Sequence, residues 1–384
     1  MSSSWYLHGL YAYRLAGSQL IAPVTQSSWY QPRITVMGGN AIDIPLQPAA
    51  PQLQGPLSLA ENYLRKYRTR AFLLMQHGQL VHAGYHHFAK QGVFNSMSMF
   101  KTLIALAVGI ALEQGILVSV HDRVAKYLPE WSRDRRAAIT IEHLLTMQSG
   151  LKSDLKLHGP SLFPLIVRLY LGTDLEKHTL ALPAVADPGK YFEYNNYNTQ
   201  ILGMILERAS GIDIATFIAT YLWQPLGCRD ASLWLDKPGG KARTFGAMFA
   251  TPEDWLRVGQ LFLTNGTVQN RSLVPASWLE AMKIPRNTPE RGVSGGRSDY
   301  GYQLWLKAHD YGSIRGIPWF EATHARAAHE DTSLFYLEGM RGQYLFISPR
   351  HQLVMLRMGE RPGRSWDGSY AINLLTGALN PSMA

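Results

Sequence analysis

The chain has one cysteine, Cys228, so it can form no intrachain disulfide and no cysteine-based zinc site. Charge is sparse at 17% of residues, and its balance is 37 − 28 = +9. The basic residues are dense only in "RKYRTR" (Arg65 to Arg70) and "RDRR" (Arg133 to Arg136). Neither run comes with a nucleic-acid-binding motif, so nucleic acid is not an expected partner. Long hydrophobic runs are missing as well. The most apolar stretch, Leu103 to Leu112, is about half the length that spans a bilayer, so no membrane partner is expected. The N-terminus "MSSSWYLHGLYAYRLAGSQLIAPV" has no Lys or Arg before Arg14, and His8, Gly9, Tyr11 and Tyr13 interrupt its apolar residues. This argues against a secretory signal and for a cytoplasmic rather than a periplasmic protein. Internal repeats and low-complexity tracts are absent.

What remains is a 384-residue chain, 46% hydrophobic, which can bury a large core. Residues 1–55 read as an aromatic arm ending in the linker-like "LQPAAPQLQGP". The arm would pack on the domain or on a neighbouring subunit, which leaves room for a homodimer. A helix is expected over Ser58 to Tyr67, then a hairpin of "AFLLMQ" and "QLVHAGYHHF" about His77-Gly78. Apolar periodicity predicts a buried helix over Lys101 to Glu113 and helices over Ile141–Met147, Ser161–Leu171, Thr199–Ala209 and Ile214–Leu222. "TPEDWLRVGQLFLTNG" has Thr251 as N-cap, Pro252 at N1 and Asn265-Gly266 as its stop. Beyond Gly301 the runs "YQLWLKA", "TSLFYLEG", "GQYLFISP" and "LVMLRMG" read as strands, and a last helix covers Tyr370 to Leu379. The order predicts an α/β (α+β type) fold, with an antiparallel sheet built from both chain ends and flanked by helices. Residues 56–100 and 245–384 would form that α/β domain, and 101–244 an inserted, mainly helical one.

Ser98-Met99-Phe100-Lys101 stands at the head of the buried helix. Residues three apart share a helix face, so Ser98 Oγ and Lys101 Nζ can meet. Burial and the positive end of the helix dipole both disfavour an ammonium and should lower the Lys101 pKa. A neutral lysine beside a serine hydroxyl is a workable base for acyl transfer. The same S-x-x-K spacing recurs at Ser149–Lys152 and Ser153–Lys156, without an apolar helix behind it. Tyr194-Asn195-Asn196 is a Y-x-N element before another helix, where a phenol could relay protons and an amide could hold a lysine or a substrate carbonyl. On residue pattern alone it could equally be an aromatic loop that caps a helix at Asn196 or Asn198. "FYLEGMRGQYLFISPRHQLVMLRMG", Phe335 to Gly359, reads as an edge hairpin turning at Pro349-Arg350 and entered through Gly339 and Gly342. The Gln343 N–H could pair with that of Ser98 as an oxyanion hole.

These three elements in this order resemble the penicillin-recognising serine hydrolases, a group of class C β-lactamases, DD-peptidases, β-lactamase-fold esterases and 6-aminohexanoate-dimer hydrolases. "HLLTMQSGL", "VAKYLPEW", "GAMFATPEDWLRVGQLFL" and "YGYQLWL" extend the resemblance over roughly Leu57 to Leu379. It implies Ser98 as acylated nucleophile, Lys101 and Tyr194 as base partners, and Asn196, Gly342, Gln343 and Trp305 at the substrate, with Phe335 and Tyr336 as further lining. No metal and no cofactor are implied. The family's Lys- or His-led triplet is replaced by Met340-Arg341-Gly342. That favours a carboxylesterase or small-amide hydrolase, acting on a small ester or amide, over β-lactamase or DD-peptidase action. A catalytically silent binding protein of the same fold is the alternative from another class. Two further readings compete. Gly292-Val293-Ser294-Gly295-Gly296 matches a G-x-S-x-G nucleophile elbow without the strand and helix that motif needs, though His309, His324, His329 and His351 follow it. His82 and His86 could share a strand face as metal ligands, but no carboxylate partner stands near them in sequence, so exposed strand histidines are expected.

Overall fold

The computed structural model describes residues 9–14, 22–153, 165–286, 288–289, 299–308, 327–363 and 365–380. In chain order the strands are β1 (Arg33–Val36), β2 (Thr69–Gln76), β3 (Gln79–Tyr85), β4 (Phe94–Asn95), β5 (Ala231–Trp234), β6 (Met248–Ala250), β7 (Thr267–Val268), β8 (Arg271–Ser272), β9 (Phe335–Gly339), β10 (Gln343–Ser348) and β11 (Leu353–Gly359). The helices that frame the site are α1 (Pro51–Lys66), α2 (Phe100–Glu113), α3 (Ile141–Leu145), α4 (Asn196–Ser210), α5 (Pro252–Leu263) and α6 (Tyr370–Ala378). Shorter helices at Leu165–Leu171 and Ile214–Ile218 fall within two of the expected spans. Among the described residues no helix is long and apolar enough to cross a membrane.

Five antiparallel strands form the main sheet in the order β3-β2-β11-β10-β9, so the chain's two ends meet where β2 pairs with β11. Both faces of this sheet are covered, which is why β2, β10 and β11 read as continuous apolar runs instead of alternating ones. Ala71, Leu73, Leu337, Leu345 and Leu356 face one core with α2 and α5. Phe72, Leu74, Phe346 and Met355 face a second core with α1 and α6. The expected edge hairpin is interior: β10 and β11 are flanked by β9 and β2, so β9 and β3 are the edges.

A second, four-stranded sheet, β1-β5-β6-β4, was not foreseen. It takes β1 from the arm and pairs it in register with β5, Arg33 opposite Trp234. Arg14 of the arm is buried and donates to the carbonyls of Gln31, Leu171 and Asp236. The described part of the arm is therefore held by its own chain. The linker-like segment is also not a linker. α1 begins at Pro51, where a missing N–H costs nothing, and tolerates Pro56 because Leu53, Leu57, Ala60 and Leu64 bury one apolar stripe. "YQLWLKA" is likewise no strand but a compact loop, bridged at Tyr300–Trp305 and Trp305–Tyr336.

The histidine expectation is overturned. Glu61 on α1 takes His82 on one carboxylate oxygen at 2.6 Å and His86 on the other. Both histidines are half-buried, and Gly84 between them leaves room for the carboxylate, which a Cβ there would meet at 2.8 Å. Burial raises the Glu61 pKa, but the hydrogen bonds and charges of His82 and His86 outweigh it and hold the carboxyl below its usual range. Among the described residues no group of side chains could hold a metal.

The buried helix has one tight contact. Trp278 lies over Gly109 of α2, where an added Cβ would meet its Cδ1 at 2.2 Å, and its indole N–H donates to the Ala105 carbonyl at 3.0 Å. We expect Gly109→Ala to cost about 1–3 kcal/mol, the usual range for overpacking. Urea unfolding that shows no change for this variant would contradict the packing described.

Candidate active site

From Phe94 to Ala111 every side chain is buried except that of Ser98, which is half-exposed. The backbone ahead of it is built to project it. Ser96 N–H donates to the Met248 carbonyl at 2.8 Å, and the Asn95 side chain accepts from Met97 N–H at 2.9 Å. Met97 is held at φ +51°, a left-handed conformation costly for a non-glycine residue. Met97–Met99 is a 3-10 turn, and α2 starts only at Phe100. The serine is thus on the turn before the helix, and neither Ser96 nor Ser98 caps it by side chain.

Lys101 is 1% exposed in the first turn of α2. Its Nζ donates to Ser98 Oγ at 2.7 Å and to the Phe245 carbonyl at 2.5 Å. That carbonyl is fixed in turn from α4. Thr244 N–H donates to Gln200 Oε1 at 3.1 Å, and Thr244 Oγ1 donates to the Thr199 carbonyl at 3.0 Å. Sequence reading missed Phe245 because its contribution is a backbone oxygen, which no side chain announces. Tyr194 lies across the amine, its ring centroid 5.1 Å from Lys101 Nζ. Trp305 stacks on the same ring at 5.7 Å and 18°. Tyr300 meets the Tyr194 ring edge-on and is fully buried, which raises its pKa well above the usual phenol value, so it stays protonated. Asn196 is the first residue of α4 and is buried, but the helix cap is Asn195, which accepts from Tyr197 N–H at 3.0 Å.

The main sheet closes the site through β9. Tyr336 spends both its N–H and its C=O on Trp305, on the outer edge of β9. Backbone groups alternate along a strand, so Glu338 presents its own on the same edge, and Met340 is the first residue past β9, its carbonyl accepting from Gln343 Nε2 at 3.3 Å. Gly339 packs against the serine turn: an added Cβ would meet the Ser96 carbonyl at 2.3 Å and Met97 Cβ at 3.0 Å. Gln343 lies one strand further in, paired with Gly339. Its side chain donates to Gly359 O at 2.7 Å and accepts from Gly359 N–H at 3.0 Å. Gly342, at φ +75°, lies in the β9–β10 turn beside Arg357. Arg341 is in the same turn and pairs with Glu360 at 3.3 Å. Phe335 and Tyr336 are core side chains, whereas Trp305 touches the site through Tyr194.

The other serines separate from this cluster. Ser149 donates to Asn198 Oδ1 at 2.6 Å, a contact that ties the 149–151 turn to α4. Ser294, Lys156, His309 and His324 lie outside the described residues. His329 is driven by burial to a pKa of about 4, beside the rings of Tyr336 and Phe346.

A serine on a strained turn, a buried lysine bonded to it and a tyrosine over that lysine meet beside an edge strand. The beta-lactamase family model matches residues 59–376. The chain belongs to the beta-lactamase family. It is 26% identical over 329 residues to the 6-aminohexanoate-dimer hydrolase of Paenarthrobacter ureafaciens, covering 80% of this chain and 77% of that one. It is 32% identical over 161 residues to esterase EstB of Burkholderia gladioli, 38% and 40% of the two chains. A solved structure described as a putative 6-aminohexanoate-dimer hydrolase from Bacillus anthracis superposes with a TM-score of 0.71 at 19% identity, covering 92% and 90%. That last likeness shows the fold: a sheet joining N- and C-terminal strands, flanked by helices. Relatives in the family act as hydrolases and as acyltransferases.

If β9 must lie against the serine turn for chemistry, Gly339→Ala should slow Ser98 labelling by a fluorophosphonate at least tenfold while far-UV circular dichroism stays unchanged. Labelling at the native rate would remove Gly339 from the site.

Proposed function

We propose that this protein is a carboxylesterase or small-amide hydrolase that works through an acyl-enzyme on Ser98. The 2.7 Å contact between Lys101 Nζ and Ser98 Oγ carries the reading. Desolvation and the α2 N-terminus both favour a neutral Lys101, which can take the hydroxyl proton as Oγ attacks the substrate carbonyl carbon. The Ser98 N–H and an edge-strand N–H stabilise the tetrahedral oxyanion. Met340 directly follows the edge strand β9, which favours its amide over that of Gln343, one strand in. Tyr194 passes the proton to the leaving alcohol or amine, and Asn196 orients the lysine or the substrate carbonyl. Water then attacks the acyl carbon, its proton goes to the Lys101–Tyr194 pair, and Ser98 Oγ–H is restored.

Preference for an ester or a simple amide rests on the turn after β9. Met340 has no charge to offer a substrate carboxylate, and Arg341 is engaged by Glu360, which also accepts from Thr25 at 2.9 Å. The names of two relatives, a dimer hydrolase and an esterase, point the same way.

Intact-mass analysis after fluorophosphonate treatment should show one adduct, lost in Ser98→Ala. An adduct that survives that change and is lost in Ser294→Ala moves the nucleophile to the other serine motif. A short-chain p-nitrophenyl ester should be turned over much faster than a chromogenic cephalosporin, and the reverse order returns the protein to the β-lactamase reading. Lys101→Ala should lower turnover by ~10²–10⁴-fold, and activity near wild type would discard its role as base.

A further inference from the structure

Behind the proton-transfer set stands a side chain that takes no part in the mechanism above. Gln303 is 2% exposed and lies in the loop between Tyr300 and Trp305. All four of its polar groups are used, and they reach three helices. Its N–H donates to the Leu145 carbonyl at 3.1 Å, at the end of α3. Its C=O accepts from Thr102 Oγ1 at 2.7 Å, on α2, one residue beyond Lys101. Its Oε1 accepts from Thr199 Oγ1 at 2.7 Å, on α4, one turn beyond Asn196. Its Nε2 donates to the carbonyls of Leu144 and Leu145 at 3.1 and 2.9 Å. Two carbonyls can only accept, so the amide has one orientation. The residue also sits at φ +54°, a conformation that costs a non-glycine residue on the order of 1–3 kcal/mol and that the surrounding bonds must outweigh. Two residues on, Trp305 exchanges backbone hydrogen bonds with Tyr336 of β9 and stacks on Tyr194.

We infer that Gln303 is a positioning residue for acyl transfer: it sets the spacing between α2, which carries Lys101, and α4, which follows Tyr194, and it aims the Trp305 loop at Tyr194. A fully satisfied buried network of this kind rigidifies what it joins, and a partly satisfied one is costly. The inference rests on the Ser98 acyl-enzyme reading. Gln303 touches neither the substrate nor the reacting atoms, so its loss should appear in turnover more than in binding. A misplacement of about 1 Å far from the chemistry is enough to cost ~10²-fold.

The test counts competent sites by fluorophosphonate titration and reads kcat and KM for a p-nitrophenyl ester per competent site. Gln303→Met, close in length, removes the side-chain amide donor from both leucine carbonyls and the acceptor of Thr199 Oγ1. We expect its kcat to fall about 100-fold with KM within about threefold. Thr102→Val and Thr199→Val each remove one donor at nearly constant volume, and should lower kcat about tenfold each. They carry the test if Gln303→Met does not fold. Gln303→Glu gives a signature that loss of stability alone would not. Its carboxylate would face two carbonyls in a buried site, so its pKa must rise and only the protonated acid can replace an N–H. Its kcat should therefore recover toward wild type near pH 5 and fall as pH rises toward 8, whereas wild-type kcat rises. Two results would overturn the inference: threonine variants with per-site kcat within twofold of wild type, or a Gln303→Glu profile parallel to wild type. Ser98-dependent labelling in wild type with either of these results removes this inference alone. No Ser98-dependent labelling in wild type removes the acyl-enzyme reading and this inference with it.

Discussion

The site depends on one buried amine shared between two oxygens. Lys101 Nζ reaches Ser98 Oγ from within its own helix and the Phe245 carbonyl from a segment 144 residues away. A lysine with almost no access to water is tolerable only where its hydrogens find acceptors, so the amine fixes where the 244–246 segment can run. Thr244, which precedes that carbonyl, is bound twice by α4, so the helix behind Tyr194 also sets the acceptor of the lysine. Ser98, Lys101 and Tyr194 are thus held by a single closed circuit through α2, the Phe245 carbonyl and α4. The strained Met97 completes it, because the turn that lifts Ser98 out of the core also sets its distance from Lys101.

How much of this could be read from sequence follows from where the information lies. Ser98 and Lys101 were legible because both are side chains three apart on one turn, and the apolar run behind them forces burial. The hairpin about His77-Gly78 and the helix from Thr251 were legible for the same local reasons: both hairpin residues have positive φ, and Thr251 and Asp254 form a capping box. The Phe245 carbonyl was not legible, since any residue supplies a carbonyl. Nor was the inner position of Gln343, because strand order is a long-range property and a Gly-rich turn looks alike at an edge or one strand in. The same holds for Glu61, which meets His82 and His86 only once α1 lies across β3. In "YQLWLKA" a strand-like pattern was outweighed by tertiary bonds, since Gln303 gains more by joining three helices than by extending a sheet.

The β9–β10 turn shows how the family's cationic side chain can be absent without leaving the turn loose. Gln343 holds it from inside the sheet, donating to the carbonyls of Met340, Arg341 and Gly359. Arg357, fully buried on β11, donates to the carbonyls of Arg341 and Gly342 at 2.9 and 2.8 Å. Burial pulls the Arg357 guanidinium down to about 10, so it remains charged at neutral pH. A buried positive charge is therefore bonded to the backbone of the turn. The guanidinium is fully engaged, donating also to Thr69 Oγ1 and to the carbonyls of Tyr67 and Glu360, so it is not offered to a substrate carboxylate. Its field still reaches the edge amides, and in a low-dielectric interior that field is weakly screened. On the proposed reading, such an arrangement would keep electrostatic help for a developing oxyanion while offering no anchor to an anionic substrate, the combination suited to neutral esters or amides.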